Sequence, residues 1–346
     1  MKEGRLTYNG TFQFEAGGRL DSLEIVYHSS REKYTPGERV IWICHALTAN
    51  SDVEDWWPEL AGPGKTIDTG RDFVVCVNML CSSYGSSGPA TTDKTSGRPY
   101  FFDFPKTTIR DMVSACRYVR EHLGIETIDL LIGSSIGGFQ AIEWAITEPD
   151  RIRKLFLMAT APRISPWLGA MAEAQRMALE ADVTFRQCQD IHGGTDGLKC
   201  ARAQALISYR CFNGYGISQK EDDQNCLFAG KVASYERYQG EKLIRRGFDA
   251  YSYYYLCNAL DSHNAGRGRG GVAAALGRIT ARTVAACIDT DMIFPPCEFK
   301  EWADMIPGVT KRTIHSEFGH DGFLLETAQI KEIITTMLNG KNATAA

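Results

Sequence analysis

Nothing in this chain of 346 residues pairs its cysteines. There are 11 of them, an odd number, scattered singly with no C-x-x-C pair and no Cys/His cluster at zinc spacing, which argues against a disulfide framework and a structural metal. Most stand in apolar runs such as Trp42-Ile43-Cys44 and Val74-Val75-Cys76-Val77, where a thiol packs as a small hydrophobe. No apolar run approaches the roughly 18 residues that a bilayer-spanning helix needs. The opening residues Met1-Lys2-Glu3-Gly4-Arg5-Leu6 hold no apolar signal-peptide core. Charge of one sign is also scarce: the formal net charge is -4, too little to draw in nucleic acid or an anionic membrane. Gly266-Arg267-Gly268-Arg269-Gly270-Gly271 is too short to act as an RNA-binding Arg-Gly tract. The expectation is a cytoplasmic protein with neither nucleic acid nor membrane among its partners.

What is present is the composition of a globular protein, with 44% hydrophobic and 23% charged residues. Short continuous apolar runs recur at 23–27, 40–44, 73–77, 128–132, 155–158, 283–288 and 309–315. Because most do not alternate with polar residues, they are predicted to be strands buried on both faces. Helical patterns lie between them, the clearest from Thr107 to Leu123 with Gly124 placed to end it. Strands alternating with helices predict an α/β fold with a mostly parallel central sheet covered on both sides. The alternation breaks between Arg163 and Arg278, where helical patterns appear at Met171 to Glu180, Leu198 to Tyr209 and Asp249 to Leu260. The expected organisation is a core from residues 1–162 and 279–346, ending in a polar tail from Asn339, with residues 163–278 forming a helical lid over the strand ends.

The most informative residue is Ser135, in Gly133-Ser134-Ser135-Ile136-Gly137-Gly138 between a predicted strand and a predicted helix. A G-x-S-x-G in that setting reads as a nucleophile elbow, with the glycines allowing a turn tight enough to push the serine hydroxyl outward. A hydroxyl needs a base, and a base needs an orienting acid. His320 lies in Gly319-His320-Asp321-Gly322 after the last predicted strand, and Asp291 in Asp289-Thr290-Asp291 directly after the strand ending at Ile288. Asp289 is the competing acid. Ser, Asp, His in that order, each at a strand end, is the order of an α/β-hydrolase triad. An oxyanion hole needs two amides; the candidates are Ile136, after the nucleophile, and Leu47, in His45-Ala46-Leu47-Thr48. His45 is expected to shape that turn rather than move protons.

These segments resemble the homoserine O-acetyltransferase family, within the α/β-hydrolase fold, over nearly the whole chain. The resemblance rests on His45-Ala46-Leu47-Thr48, Gly85-Ser86-Ser87-Gly88-Pro89, Thr108-Ile109-Arg110-Asp111, the stretch from Ser135 to Ala145, Ser208-Tyr209-Arg210, Gly247-Phe248-Asp249, Arg267-Gly268-Arg269-Gly270, Asp291-Met292-Ile293-Phe294 and Gly319-His320-Asp321-Gly322. It implies acetyl transfer from acetyl-CoA, a co-substrate and not a resident cofactor, to the hydroxyl of L-homoserine in methionine biosynthesis. The route would be ping-pong, through an acetyl ester of Ser135. It further implies that Arg210 takes the substrate carboxylate and Asp321 its ammonium group, that no metal or cofactor is required, and that two chains form a homodimer through the lid. The run Ser134-Ser135-Ile136, the segment from Met79 to Tyr84 and Gly322 depart from the family pattern. Serine as acceptor, succinyl-CoA as donor, or water as acceptor in an esterase-type hydrolase are therefore the alternatives.

Overall fold

Runs that are apolar without interruption become central strands because both of their faces are covered. In a computed structural model, which describes residues 1–228 and 230–340, the strands are β1 (Lys2–Tyr8), β2 (Phe12–Gln13), β3 (Arg19–Leu20), β4 (Leu23–Ser29), β5 (Val40–Cys44), β6 (Phe73–Val77), β7 (Leu130–Ser134), β8 (Lys154–Met158), β9 (Arg282–Ile288) and β10 (Thr310–Ile314). The polar tail read from the sequence lies outside the described residues beyond Gly340. On β5, Val40, Trp42 and Cys44 enter one hydrophobic core while Ile41 and Ile43 enter a second; β6 splits in the same way, with Phe73, Val75 and Val77 against Val74 and Cys76. Alternation is present, but it divides one apolar layer from another.

Eight strands form one sheet in the order β1-β4-β6-β5-β7-β8-β9-β10. The ladder is parallel from β6 to β10, and β4 and β1 join antiparallel at one edge. β2 and β3 form a separate hairpin. β1 and the hairpin were not legible as strands: β1 is an edge, with no fully buried residue and a polar sequence, so its period-two signal is weak. The helix predicted from Thr107 spans Ile109–His122, where Thr108 and Asp111 form a capping box and Gly124, with φ of 70°, takes the left-handed turn after its end.

Between β8 and β9 the described chain is helical, with no strand of the large sheet. The helices are Pro166–Glu180, Thr195–Tyr209, Phe212–Ser218, Gly230–Arg245, Ala250–Asp261 and Val272–Leu276, with a short turn at Phe185–Gln187. The helix Pro166–Glu180 packs against Thr195–Tyr209 and Ala250–Asp261, and Thr195–Tyr209 packs against Gly230–Arg245. Several motifs that marked the family tie this insertion to the sheet. Asp249 caps Ala250–Asp261 through the Ser252 amide and accepts from the Ser83 hydroxyl at 2.8 Å. Arg269 pairs with Glu143, which is buried in the helix Ile136–Thr147. Arg267 and Arg110 share Glu15, so the arginines of the Arg-Gly segment are held by carboxylates of the protein itself. Ser86 and Ser87 receive the amides of Val26 and Glu24, clamping the segment 78–88 to β4. Among the described residues no helix is long and apolar enough to cross a membrane.

Candidate active site

Parallel strands deliver their C-terminal ends to one edge of the sheet, so residues distant in sequence meet there. Ser135 leaves β7 and opens the helix Ile136–Thr147 with φ 56° and ψ −131°. A non-glycine residue at positive φ is strained, and it persists here because both sides of the turn are anchored. The Ser135 amide donates to the Ala159 carbonyl at 3.1 Å, and its carbonyl accepts from the Thr160 hydroxyl at 2.9 Å. The glycines play a different part from the one read in the sequence. Neither Gly133 nor Gly137 has positive φ. A side chain on Gly133 would overlap the Gly137 carbonyl, one on Gly137 the Cys44 carbonyl, and one on Gly138 the Thr160 side chain. They let the helix start press against β5 and the turn after β8, while the serine carries the strain. Trp42 of β5 meets Trp144 edge-on at 5.0 Å, a contact worth about 0.5–1.5 kcal/mol beyond its buried area.

The structure brings His320 and Asp291 to this serine. His320 Nε2 lies 3.0 Å from Ser135 Oγ, and its Nδ1 lies 2.7 Å from Asp291 Oδ2. Both residues are buried. The other oxygen of Asp291 accepts the amides of Ile293 at 2.8 Å and Phe294 at 3.1 Å, which fixes the carboxylate plane. Asp289 is occupied elsewhere, by His315 Nδ1 at 2.8 Å and the Ser316 amide at 3.0 Å. Gly319, at φ 62°, turns the chain immediately before His320 and abuts the backbone of Arg210 and Cys211.

Leu47 follows the end of β5, and Ile136 is the first residue of the helix behind the serine. Among the described residues neither amide has an acceptor, as expected of donors aimed at a reacting oxygen. The positive end of the twelve-residue helix points the same way. His45 is wholly buried between backbone groups: Nε2 accepts the Met79 amide at 3.1 Å, so Nδ1 is left to donate to the Ala46 carbonyl at 2.9 Å. Burial pushes its pKa down to about 4. A neutral imidazole locked in this way braces the Leu47 turn.

A cavity of about 160 Å³ opens on Ser135 and His320, lined also by Leu47, Trp56, Arg202, Tyr209, Arg246 and Asp321. Asp321 is thus at the cavity wall. Arg210 is not among its lining residues; its Nε donates to Asp321 Oδ2 at 3.0 Å, spanning the gap from the helical segment to the core. Burial raises the Asp321 carboxyl above its usual range, opposed by Arg210, His320 and Arg202. Two cations line the cavity, Arg202 and Arg246, neither of them read from the sequence; Arg246 is paired with Asp55 at 2.8 Å, which leaves Arg202. Its Nε and Nη1 are shut off from solvent and have no hydrogen-bond partner among the described residues. Its guanidinium lies over the Tyr209 ring, 5.3 Å from the centroid. A signal did exist: residues 202 and 209 are seven apart, about two helical turns, and so share a face of Thr195–Tyr209, whereas Arg210 lies beyond its end in extended conformation.

A hydroxyl, an imidazole and a carboxylate in hydrogen-bonded series at the C-terminal edge of a parallel sheet, behind a strained strand-to-helix turn, define a class of proteins. The sequence pattern of the alpha/beta hydrolase fold matches residues 39–327. Within that class the chain belongs to the homoserine O-acetyltransferase family. It is 40% identical over 328 residues to the homoserine O-acetyltransferase of Chlorobaculum parvum, covering 93% of this chain and 90% of the relative. It is 38% identical to that of Nostoc punctiforme, covering 93% and 92%. Among solved structures, the homoserine O-acetyltransferase of Bacillus anthracis superposes with a TM-score of 0.89 at 20% identity, covering 100% of this chain and 99% of that one. Esterase E22 superposes with a TM-score of 0.85 at 22% identity, covering 97% and 100%. At these identities the two structures speak for the fold alone.

Proposed function

We propose that this protein transfers an acetyl group from acetyl-CoA to the hydroxyl of L-homoserine through an acetyl-Ser135 intermediate, serving methionine biosynthesis. Ser135 Oγ attacks the thioester carbonyl while its proton passes to His320 Nε2. The amides of Leu47 and Ile136 receive the negative oxygen, and coenzyme A departs with the proton from His320. In the second half, His320 takes the proton of the homoserine hydroxyl, whose oxygen attacks the ester; Ser135 leaves and recovers its proton. Asp291 orients the imidazole and stabilises its charged form. The helical segment 163–278 acts as the lid that keeps water from the ester.

The observation that carries this reading is the pair of opposite charges in the cavity beside Ser135. Among the described residues the buried Nε and Nη1 of Arg202 have no hydrogen-bond partner, and Asp321 lines the same cavity; together they suit the carboxylate and ammonium groups of an amino acid, a pair that simple ester hydrolysis does not require. In this assignment Arg210 positions Asp321 rather than meeting substrate. Offered acetyl-CoA or succinyl-CoA with homoserine or serine, the enzyme is expected to release O-acetylhomoserine, identified by mass; free acetate as the main product would overturn the transferase reading. Arg202→Ala is expected to raise the homoserine KM roughly 10- to 150-fold, the loss of about 1.5–3 kcal/mol from a charged hydrogen bond. The rate of acetyl-enzyme formation from acetyl-CoA alone should change little, and equal damage to both half-reactions would count against the assignment.

The homodimer is proposed through the helical segment, where Phe212, Leu227 and Phe228 are 90%, 85% and 79% exposed. Sedimentation should report twice the mass of one chain, and a species of a single chain's mass at micromolar concentration would refute it.

A further inference from the structure

Ser135 opens on a second, much smaller space. Ser135, Leu47 and Tyr209 line both the charged cavity and a pocket of about 30 Å³. Leu168, Met171 and Ala172 of the helix Pro166–Glu180 line this pocket, together with Leu260, Ile293 and Phe294. Positions 168, 171, 172 and 175 repeat at helical spacing, so one face of that helix closes over the serine. No charged side chain is among the lining residues. The volume is enough to admit a group of water's size, such as a methyl group.

The pocket is also poorly able to expand. Gln175, at its edge, accepts from the Tyr253 hydroxyl at 2.7 Å. The Trp167 indole N–H is fastened to the Met292 carbonyl at 2.6 Å, which joins the helix to the Asp291 loop. Ile293 and Phe294 form the floor with their amides on Asp291, the same carboxylate that holds His320. Phe294 packs edge-on against Phe139 at 5.7 Å. Floor and triad therefore share one support.

We propose that this apolar pocket holds the acyl chain of the serine ester and limits it to two carbons, with Leu168 and Met171 setting the limit. The proposal rests on Ser135 being the acylated residue. The charged cavity, which holds Arg202 and Asp321, is left for the amino-acid acceptor, so acyl group and acceptor approach the ester carbon from separate spaces. A longer chain must overpack this narrow space, and a succinyl group would in addition bring a carboxylate to a wall without a cation.

The test uses p-nitrophenyl acetate, propionate and butyrate, which acylate a serine without coenzyme A or homoserine. For the unaltered enzyme, kcat/KM is expected to fall roughly 10- to 200-fold per added methylene. Met171→Ala, at a half-buried position, and Leu168→Ala should each reduce the butyrate-to-acetate penalty at least tenfold. Met177→Ala, on the same helix but 61% exposed, should leave the ratio unchanged. If Leu168→Ala fails to fold, Met171→Ala still decides. Butyrate accepted as well as acetate, or a penalty unmoved in the folded pocket variants, would overturn the proposal. Failure of all three esters to add mass to the protein would instead overturn Ser135 as nucleophile. With coenzyme A thioesters, succinyl transfer should lie at least 100-fold below acetyl transfer, and comparable rates would also overturn the proposal.

Discussion

Ser135→Ala is expected to lower acetyl transfer by a factor on the order of 10⁴ to 10⁶, the loss seen when a triad nucleophile is removed. The fold should be untouched. Among the described residues the Ser135 side chain makes a hydrogen bond only to His320, whereas the turn is held through the backbone, by the Ala159 carbonyl and the Thr160 hydroxyl. Alanine keeps the same Cβ at the same φ of 56°. Intact mass after exposure to acetyl-CoA without acceptor provides the direct measurement: the unaltered chain should gain one acetyl group and the variant none. A variant turning over at near-normal rate would show that the hydroxyl at 135 is not the acceptor of the acetyl group.

Asp291→Asn should cost a similar amount, about 10⁴ in kcat, for a reason readable in the hydrogen bonds. One carboxylate oxygen accepts the amides of Ile293 and Phe294, and the other faces His320 Nδ1. In asparagine, the oxygen must stay on the two amides, since an NH₂ there would meet two donors. The NH₂ is then presented to Nδ1, which must become an acceptor, and the ring proton moves to Nε2, where it blocks uptake of the serine proton. Asp289→Asn provides the contrast. Asp289 serves His315 and Ser316 at a more exposed site, and its variant should retain activity within a few-fold. A larger loss at 289 than at 291, measured as kcat at saturating substrates, would exchange the roles of the two acids.

The central strands were legible because each is apolar along its whole length, the mark of a layer covered twice. β1 was not, since an edge strand with a solvent-facing side contains too few apolar residues to stand out. The helix Gly230–Arg245 also passed unread: it is largely polar, with only Gly240 and Leu243 buried among its described side chains, so its pattern resembles a loop. The glycines of the elbow were noticed for the right positions and a different reason, because a sequence shows where a side chain is missing but not which carbonyl stands in the space. Several motifs that mark the family, around Ser86, Glu143, Asp249 and Arg269, proved to be joints between segments rather than chemistry.

Ser135, Asp291 and His320 were open to reading from the chain alone because each follows a buried strand within a short, recognisable turn, and parallel strands must bring such turns to one edge. Arg202 and the small pocket were not. An arginine on a helix has the same local signature whether water surrounds it or a cavity does, and the size of a space depends on how Pro166–Glu180, the loop after Asp291 and the turn after β5 pack together across more than a hundred residues. Local backbone preference is carried by neighbours in sequence, whereas desolvation and volume belong to neighbours in space.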